Sequence, residues 1–112
     1  MLPNIEQLEN KIVVILLNTG REILCKLWNI SIDNSFLTVE NPRYVTLNAS
    51  TGQANMIVMT VTSDQETVYL NTSAVLTIME ATDDVANEYN SIIAVELQNK
   101  RITETEPKSE VE

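Results

Sequence analysis

Hydrophobic and polar positions divide the chain into short apolar runs separated by polar turns, with one longer stretch at helical spacing near the end. Residues 4–9, NIEQLE, place Ile5 and Leu8 on one side of a single helical turn. Residues 11–17, KIVVILL, are apolar without alternation, which is the pattern of a short strand buried on both faces. Asn18, Thr19 and Gly20 supply turn chemistry, and Gly20 readily takes a positive φ. In 21–32, REILCKLWNISI, the apolar phase changes. Ile23, Cys25 and Leu27 hold odd positions, whereas Trp28, Ile30 and Ile32 hold even ones. A flat strand facing one core keeps a single phase. The change therefore predicts a strand that bends sharply to serve a second face, or a plain bulge beside Asn29.

Asp33-Asn34-Ser35 is the next turn, and 36–47, FLTVENPRYVTL, resumes a strand with Leu37, Val39, Val45 and Leu47 in phase. Pro42 has no N–H for a ladder, so a bulge or an unpaired edge is expected at 41–43. NASTGQA, 48–54, reads as a loop, NMIVMTVT, 55–62, as a strongly apolar strand, and SDQE, 63–66, as a turn. TVYLN, 67–71, and AVLTIM, 74–79, are strands with a one-turn break at Thr72 and Ser73. Thr82 is a helix N-cap candidate with Asp83 and Asp84 in the first turn, where the helix dipole favours negative charge. Val85, Ala86, Tyr89, Ile92, Ile93 and Leu97 then recur at helical spacing. The expected fold is mainly β: a small, strongly bent, antiparallel five-stranded barrel of SH3 type with a C-terminal helix. Residues 1–81 form the barrel (strands about 11–17, 21–32, 36–47, 55–62 and 67–79) and 82–99 the helix. Residues 100–112 form an acidic tail expected to be disordered, broken by Pro107. An OB-fold places its helix between the third and fourth strands, which the late helix here argues against.

Charge changes the functional picture more than the fold. The chain of 112 residues carries 7 basic and 16 acidic residues, a net charge of −9. Residues 1–80 hold four basic and eight acidic, net −4; residues 81–112 hold three basic and eight acidic, net −5. Even the body is acidic, whereas phosphate contacts from Lys and Arg supply most nucleic-acid affinity. No apolar run approaches the roughly 18 residues of a membrane span, and no signal peptide is expected, so the expected location is cytoplasmic.

Catalytic chemistry has little to work with. Histidine is absent, which removes the usual general base and the commonest metal ligand. A single cysteine cannot build a thiolate zinc site, and Cys25 lies within an apolar strand as a small core residue. Neither glycine belongs to a phosphate-cradling loop. The chain is read as a non-enzyme with no catalytic residues, no metal site and no cofactor. Strand 55–62 has no charge over its whole length, and an exposed strand of that kind is an aggregation hazard unless another strand covers it. Met56, Ile57, Val58, Met59 and Val61 are therefore candidate subunit-interface residues for β-augmentation, with ordinary core filling the alternative for the methionines.

Residues 14–27, VILLNTGREILCKL, resemble the first signature of Sm-like proteins, and SAVLTIM, 73–79, resembles the closing strand of the second. Glu40-Asn41-Pro42-Arg43 and Asn87-Glu88-Tyr89-Asn90 are similar to segments of uncharacterised Sm-like proteins encoded by marine and T4-like tailed phages. The resemblance covers about residues 11–94. It implies an Sm-like barrel that pairs strands with further copies of itself in a ring, and, if phage-encoded, a host-cytoplasmic setting. It also implies two RNA-binding loops, whose matching positions are Asp33 and Asn34 in the first and Leu70 and Asn71 in the second. Two departures bear on this. Cys25 stands where the family bends its second strand at a glycine, and Leu70-Asn71 replaces the usual arginine-glycine. Losing that arginine removes a cation and a stacking surface, contacts worth about 1–3 kcal/mol per base. Asp33 and Asn34 also read simply as hairpin-turn residues. The favoured function is thus a homo-oligomeric assembly module that binds another protein, and the alternative is a ring binding single-stranded RNA with weak sites multiplied by avidity.

Overall fold

The computed structural model describes residues 5–59 and 65–105, with backbone alone at residue 54 and at 100–105. A short 3-10 helix at Ile5–Leu8 leads into β1 (Ile12–Leu17), β2 (Glu22–Ile30), β3 (Phe36–Leu47), β4 (Ala54–Val58) and β5 (Thr67–Asn71). A 3-10 turn at Thr72–Ala74 leads to β6 (Val75–Glu80), and helix α1 (Asp83–Thr105) closes the chain. All strand pairs are antiparallel, in the order β4-β3-β2-β1-β6, with β5 also paired to β3. The sheet curls strongly without closing: among the described residues β4, β5 and β6 each have one strand neighbour. The break expected at Thr72 and Ser73 is the turn Thr72–Ala74, and it makes the barrel's last strand position, 67–79, two strands rather than one.

Curling gives the sheet an inner and an outer face, and each has its own core. Inside, Val13 and Ile15 of β1 meet Ile23, Cys25 and Leu27 of β2 and Leu37 and Val39 of β3, all fully buried. Ile5 caps this cluster from the N-terminal turn, and Ile78 and Leu70 pack at its margin. Outside, Leu24 is fully buried beneath α1 with Tyr89 and Ala81, and Ile12, Val14, Val45 and Met56 pack around them. The unbroken apolar run of β1 is thereby explained: Val13, Ile15 and Leu17 face the inner core, and Ile12 and Val14 face the helix.

The phase change in β2 has a local cause. Leu27 pairs Val39 and Asn29 pairs Thr38, so Trp28 is an extra residue in a bulge. After that bulge Ile30 returns to the inner core opposite Leu37. Trp28 is left on the surface with Lys26 Nζ 4.6 Å from its ring centroid. The expected even-phase series does not form a second face, since Ile32 lies beyond the strand in the turn and is fully exposed. A second irregularity, in β3, lies opposite Cys25. Leu24 pairs Arg43 and Lys26 pairs Glu40, so Asn41 and Pro42 together face one residue of β2. This is the bulge that Pro42 predicts.

The helix also corrects an expectation. It continues through residues expected to be tail, reaching Thr105. Lys100 to Thr105 contain no breaker, and the conformational restriction that Pro107 places on Glu106 is the first sequence signal against helix. The remainder of the expected tail lies outside the described residues.

The two-faced burial of β2 has a measurable consequence. Leu24→Ala opens a cavity between sheet and helix and is expected to destabilise the protein by about 2–5 kcal/mol, while Ile32→Ala, at a fully exposed position, leaves stability within about 0.5 kcal/mol. Chemical denaturation monitored by circular dichroism separates the two.

Candidate functional site

The bulge in β3 organises the outer surface. Asn41 takes a left-handed backbone conformation, φ 51°, which Asn tolerates better than most residues. Its N–H donates to Glu66 O at 2.7 Å. Pro42 follows with no N–H to offer, and here β3 changes its outer partner, from β5 along 36–40 to β4 along 43–47. The carbonyls exposed by this change are met by Tyr89 of α1, whose hydroxyl lies 3.0 Å from Glu40 O and 2.8 Å from Asn41 O. The hydroxyl donates one proton shared between the two acceptors. Burial pushes the Tyr89 hydroxyl well above the usual tyrosine range, with smaller electrostatic contributions from Cys25 and Glu40 in the same direction.

One residue further on, Arg43 is largely enclosed. Its Nη1 donates to Pro42 O at 3.0 Å, and its Nη2 pairs with Glu96 of α1. Its Nε is buried and has no hydrogen-bond partner among the described residues. Two sequence motifs singled out for their resemblance, at 40–43 and 87–90, therefore meet in space. Tyr89 joins them directly, and Arg43 with Glu96 extends the contact by two helical turns.

The four candidate RNA-contact positions also come together. Phe36 pairs Asn71 and Leu37 pairs Leu70, and Thr72 Oγ1 donates to Asn34 O at 2.7 Å. Their side chains have other tasks. Asp33 Oδ1 accepts from Ser31 Oγ, Ser35 N–H and Ser35 Oγ, and these bonds hold its carboxyl below the usual carboxylate range. Asn71 caps the 3-10 turn by accepting from Ser73 N–H at 2.9 Å, and Leu70 packs against the inner core. Asn34 takes φ 62° at the tip of the turn. The short loop cluster is thus built from the turn residues themselves.

The candidate interface residues divide between three environments. Ile57 and Val58 are exposed on β4, Met56 packs under the helix, and Met59 packs against the inner core. Val61 lies outside the described residues. Apolar side chains are exposed at the opposite edge too, where β6 presents Leu76 and Met79. Sequence reading did not single out this second edge, although LTIM in AVLTIM carries the same uncharged apolar signal as strand 55–62. It also missed Tyr89 and Arg43 as partners of the β3 bulge, beyond quoting the motifs that contain them. Cys25 is fully buried, and burial pushes its thiol up to about 12. No group of three potential metal-ligating residues is assembled among the described residues, and no helix there is long and apolar enough to cross a membrane.

No protein-family model and no curated protein matches the sequence. Among solved structures, the chain is similar to a heptameric archaeal Sm protein at 17% identity and a TM-score of 0.48, over 69% of this chain and 94% of that one. It is similar to the P. aerophilum SmAP1 heptamer at 17% identity and a TM-score of 0.48, over 69% of this chain and 86% of that one. A chain of the NatC complex bound to CoA gives 14% identity and a TM-score of 0.47, over 79% and 96%. All three are likenesses of fold at low identity.

The seal between α1 and β3 predicts an asymmetric response to mutation and pH. Tyr89→Phe removes the only side-chain donor shown for the two carbonyls and is expected to destabilise by about 1–2 kcal/mol. A group whose folded pKa is raised contributes stability below its unfolded pKa and loses it as pH rises toward the folded value. Stability should therefore fall above about pH 8.5 through Cys25 and more steeply above about pH 10 through Tyr89. Denaturation curves from pH 7 to 11 should show the steeper part reduced in Tyr89→Phe.

Proposed function

We propose that this chain is a non-enzymatic, homo-oligomeric assembly module, closing into a ring when β4 of one copy pairs with β6 of the next. The observation that carries the reading is the open sheet itself. Among the described residues β4, β5 and β6 each have a free edge, and those of β4 and β6 both expose apolar side chains, Ile57 and Val58 on β4 and Leu76 and Met79 on β6. Unpaired strand edges with apolar flanks are normally covered, charged or shortened, and none of the four residues is charged. Because the two edges differ, the contact is heterologous, and repetition of a heterologous contact closes a ring when the rotation allows it. The resemblance of 14–27 and 73–79 to Sm-like signatures supports the same arrangement. Its phage-like segments add a phage-encoded setting in the host cytoplasm, with the assembled surface offered to another protein.

The RNA-binding alternative has less to rest on. The Asp33 and Asn71 side chains are committed to their own turns, and Leu70 offers no cation. Avidity around a ring remains its one source of strength. It is tested alongside assembly, by anisotropy of uridine-rich and adenine-rich oligonucleotides across a salt series. Binding lowered by Asn34→Ala would move the assignment to an RNA-binding ring.

The assembly reading makes a specific prediction for two single variants. Ile57→Lys spoils the β4 edge and leaves β6 intact, while Leu76→Lys does the reverse. Each alone is expected to sediment as a monomer at concentrations where the wild-type chain is a closed oligomer. Mixed in equal amounts, they should form a heterodimer, since one good β4 edge and one good β6 edge remain. A wild-type chain that sediments as a monomer at tens of micromolar contradicts the reading.

A further inference from the structure

Part of the sheet's outer face lies beyond the cluster under α1, and its exposed side chains are aromatic. Of the chain's five aromatic residues, Tyr44 and Tyr89 pack at the two cores, while Trp28, Phe36 and Tyr69 are 38%, 46% and 64% exposed. Strand register brings these three together. Thr38 of β3 stands between Asn29 of β2 and Tyr69 of β5. Leu37, Val39, Val68 and Leu70 face the inner core, so Phe36, Thr38 and Tyr69 share the outer face. Lys26 alternates with the inward Cys25 and Leu27 and therefore also faces outward. Trp28 joins it from the bulge, with Lys26 Nζ 4.6 Å from its ring centroid. A small residue, Thr38, thus floors a shallow site with an aromatic side chain on each of three sides. By strand spacing, Trp28 and Tyr69 stand about 10 Å apart across β3.

Charge narrows the choice of occupant. Asp33 is exposed in the turn before Phe36, and the hydrogen bonds from Ser31 and Ser35 keep its carboxyl ionised. Glu40 follows Thr38 on the same face, opposite Thr67, and Glu66 adjoins it at the start of β5. Lys26 is the one cation at this patch among the described residues, and it lies over Trp28. Three carboxylates against one ammonium oppose a phosphate chain, and they equally oppose a second copy with its net charge of −9. A ligand carrying arginine or lysine suits them. The aromatic walls add a demand for apolar rings held in an extended chain. A polyproline helix repeats every three residues and returns a ring to the same side at about 9 Å, close to the separation of Trp28 and Tyr69. Its carbonyls are free of internal hydrogen bonds, and the Trp28 indole N–H and Tyr69 hydroxyl are donors that can meet them.

We propose that the outer face of β2, β3 and β5 binds a basic, proline-rich segment of another protein, laid across the strands over Thr38. The inference rests on the reading of the assembled chain as a module offered to another protein, and it names the surface and the partner's chemistry.

Trp28 is the chain's single tryptophan, so its fluorescence reports occupancy directly. The full-length chain is titrated with a Pro-Pro-Arg repeat peptide, with Pro-Pro-Glu and Gly-Gly-Arg repeats of the same length, and with a uridine-rich oligonucleotide. A saturable change is expected with Pro-Pro-Arg, and binding at least tenfold weaker with the other two peptides. Tyr69→Ala and Phe36→Ala, both at exposed positions and checked for an unchanged circular dichroism spectrum, are each expected to weaken binding about tenfold. Lys26→Ala clears a competing cation from the Trp28 ring and is expected to tighten it about threefold. Binding that is absent, equally strong with Gly-Gly-Arg, or undiminished in both aromatic variants overturns the proposal. Preference for the oligonucleotide overturns it too, and assigns the patch to nucleic acid. A monomeric wild type that still binds Pro-Pro-Arg overturns the ring and leaves the docking face standing, whereas an oligomeric wild type that does not bind it overturns the docking face alone.

Discussion

The structure depends on how β3 breaks and how the break is sealed. A twelve-residue strand with a proline in its middle cannot keep a continuous ladder. Asn41 absorbs the distortion in a left-handed conformation, Pro42 withdraws a donor, and the outer side of β3 passes from one partner strand to another. That change bends the sheet enough to enclose Val13, Ile15, Ile23 and Leu37 on the inside. It also leaves two carbonyls facing outward, and the Tyr89 hydroxyl is the group that meets them. A buried acceptor without a donor is more destabilising than a typical hydrogen bond is stabilising, so this single phenol fixes where α1 lies.

Placement of the helix then determines what remains exposed. With α1 over Leu24, the outer cluster buries Leu24, Ala81 and Tyr89 and half-buries Ile12, Val14, Val45 and Met56, and the edges are the surfaces without strand partners. Arg43 reinforces the arrangement differently. Its side chain is far more enclosed than that of Glu96, so loss of the carboxylate strands a largely desolvated cation, whereas loss of the cation frees a carboxylate that water can reach. The pair therefore resists displacement of the helix more than an ordinary surface ion pair does.

Much of the fold was legible because local chemistry and tertiary structure agree. The turn at Gly20, the bulge at Pro42 and the break at Thr72–Ser73 each follow from a residue whose backbone preference is strong. The unalternating run at 12–17 correctly implied cover on both faces. What escaped were properties that depend on partners distant in sequence. The phase change at Trp28 allowed either a bend or a bulge, and only pairing with Thr38 and Val39 distinguishes them. The helix end was misplaced because polar residues at 100–105 read as tail although none of them breaks a helix. The meeting of Tyr89 with Glu40 and Asn41 had no signal in composition or spacing, since it joins positions 48 and 49 residues apart. The four loop positions implied by the resemblance do converge, but three of them serve turn and core, which sequence spacing cannot reveal.

Amide hydrogen exchange of the assembled protein, resolved to individual residues in β4 and β6, tests the central claim most directly. Pairing of these edges between copies predicts slow exchange on alternate amides of both strands, with protection lost together on dilution into the monomer. A stable oligomer in which the outward amides of β4 and β6 exchange as rapidly as those of the turn at 31–35 would contradict the account.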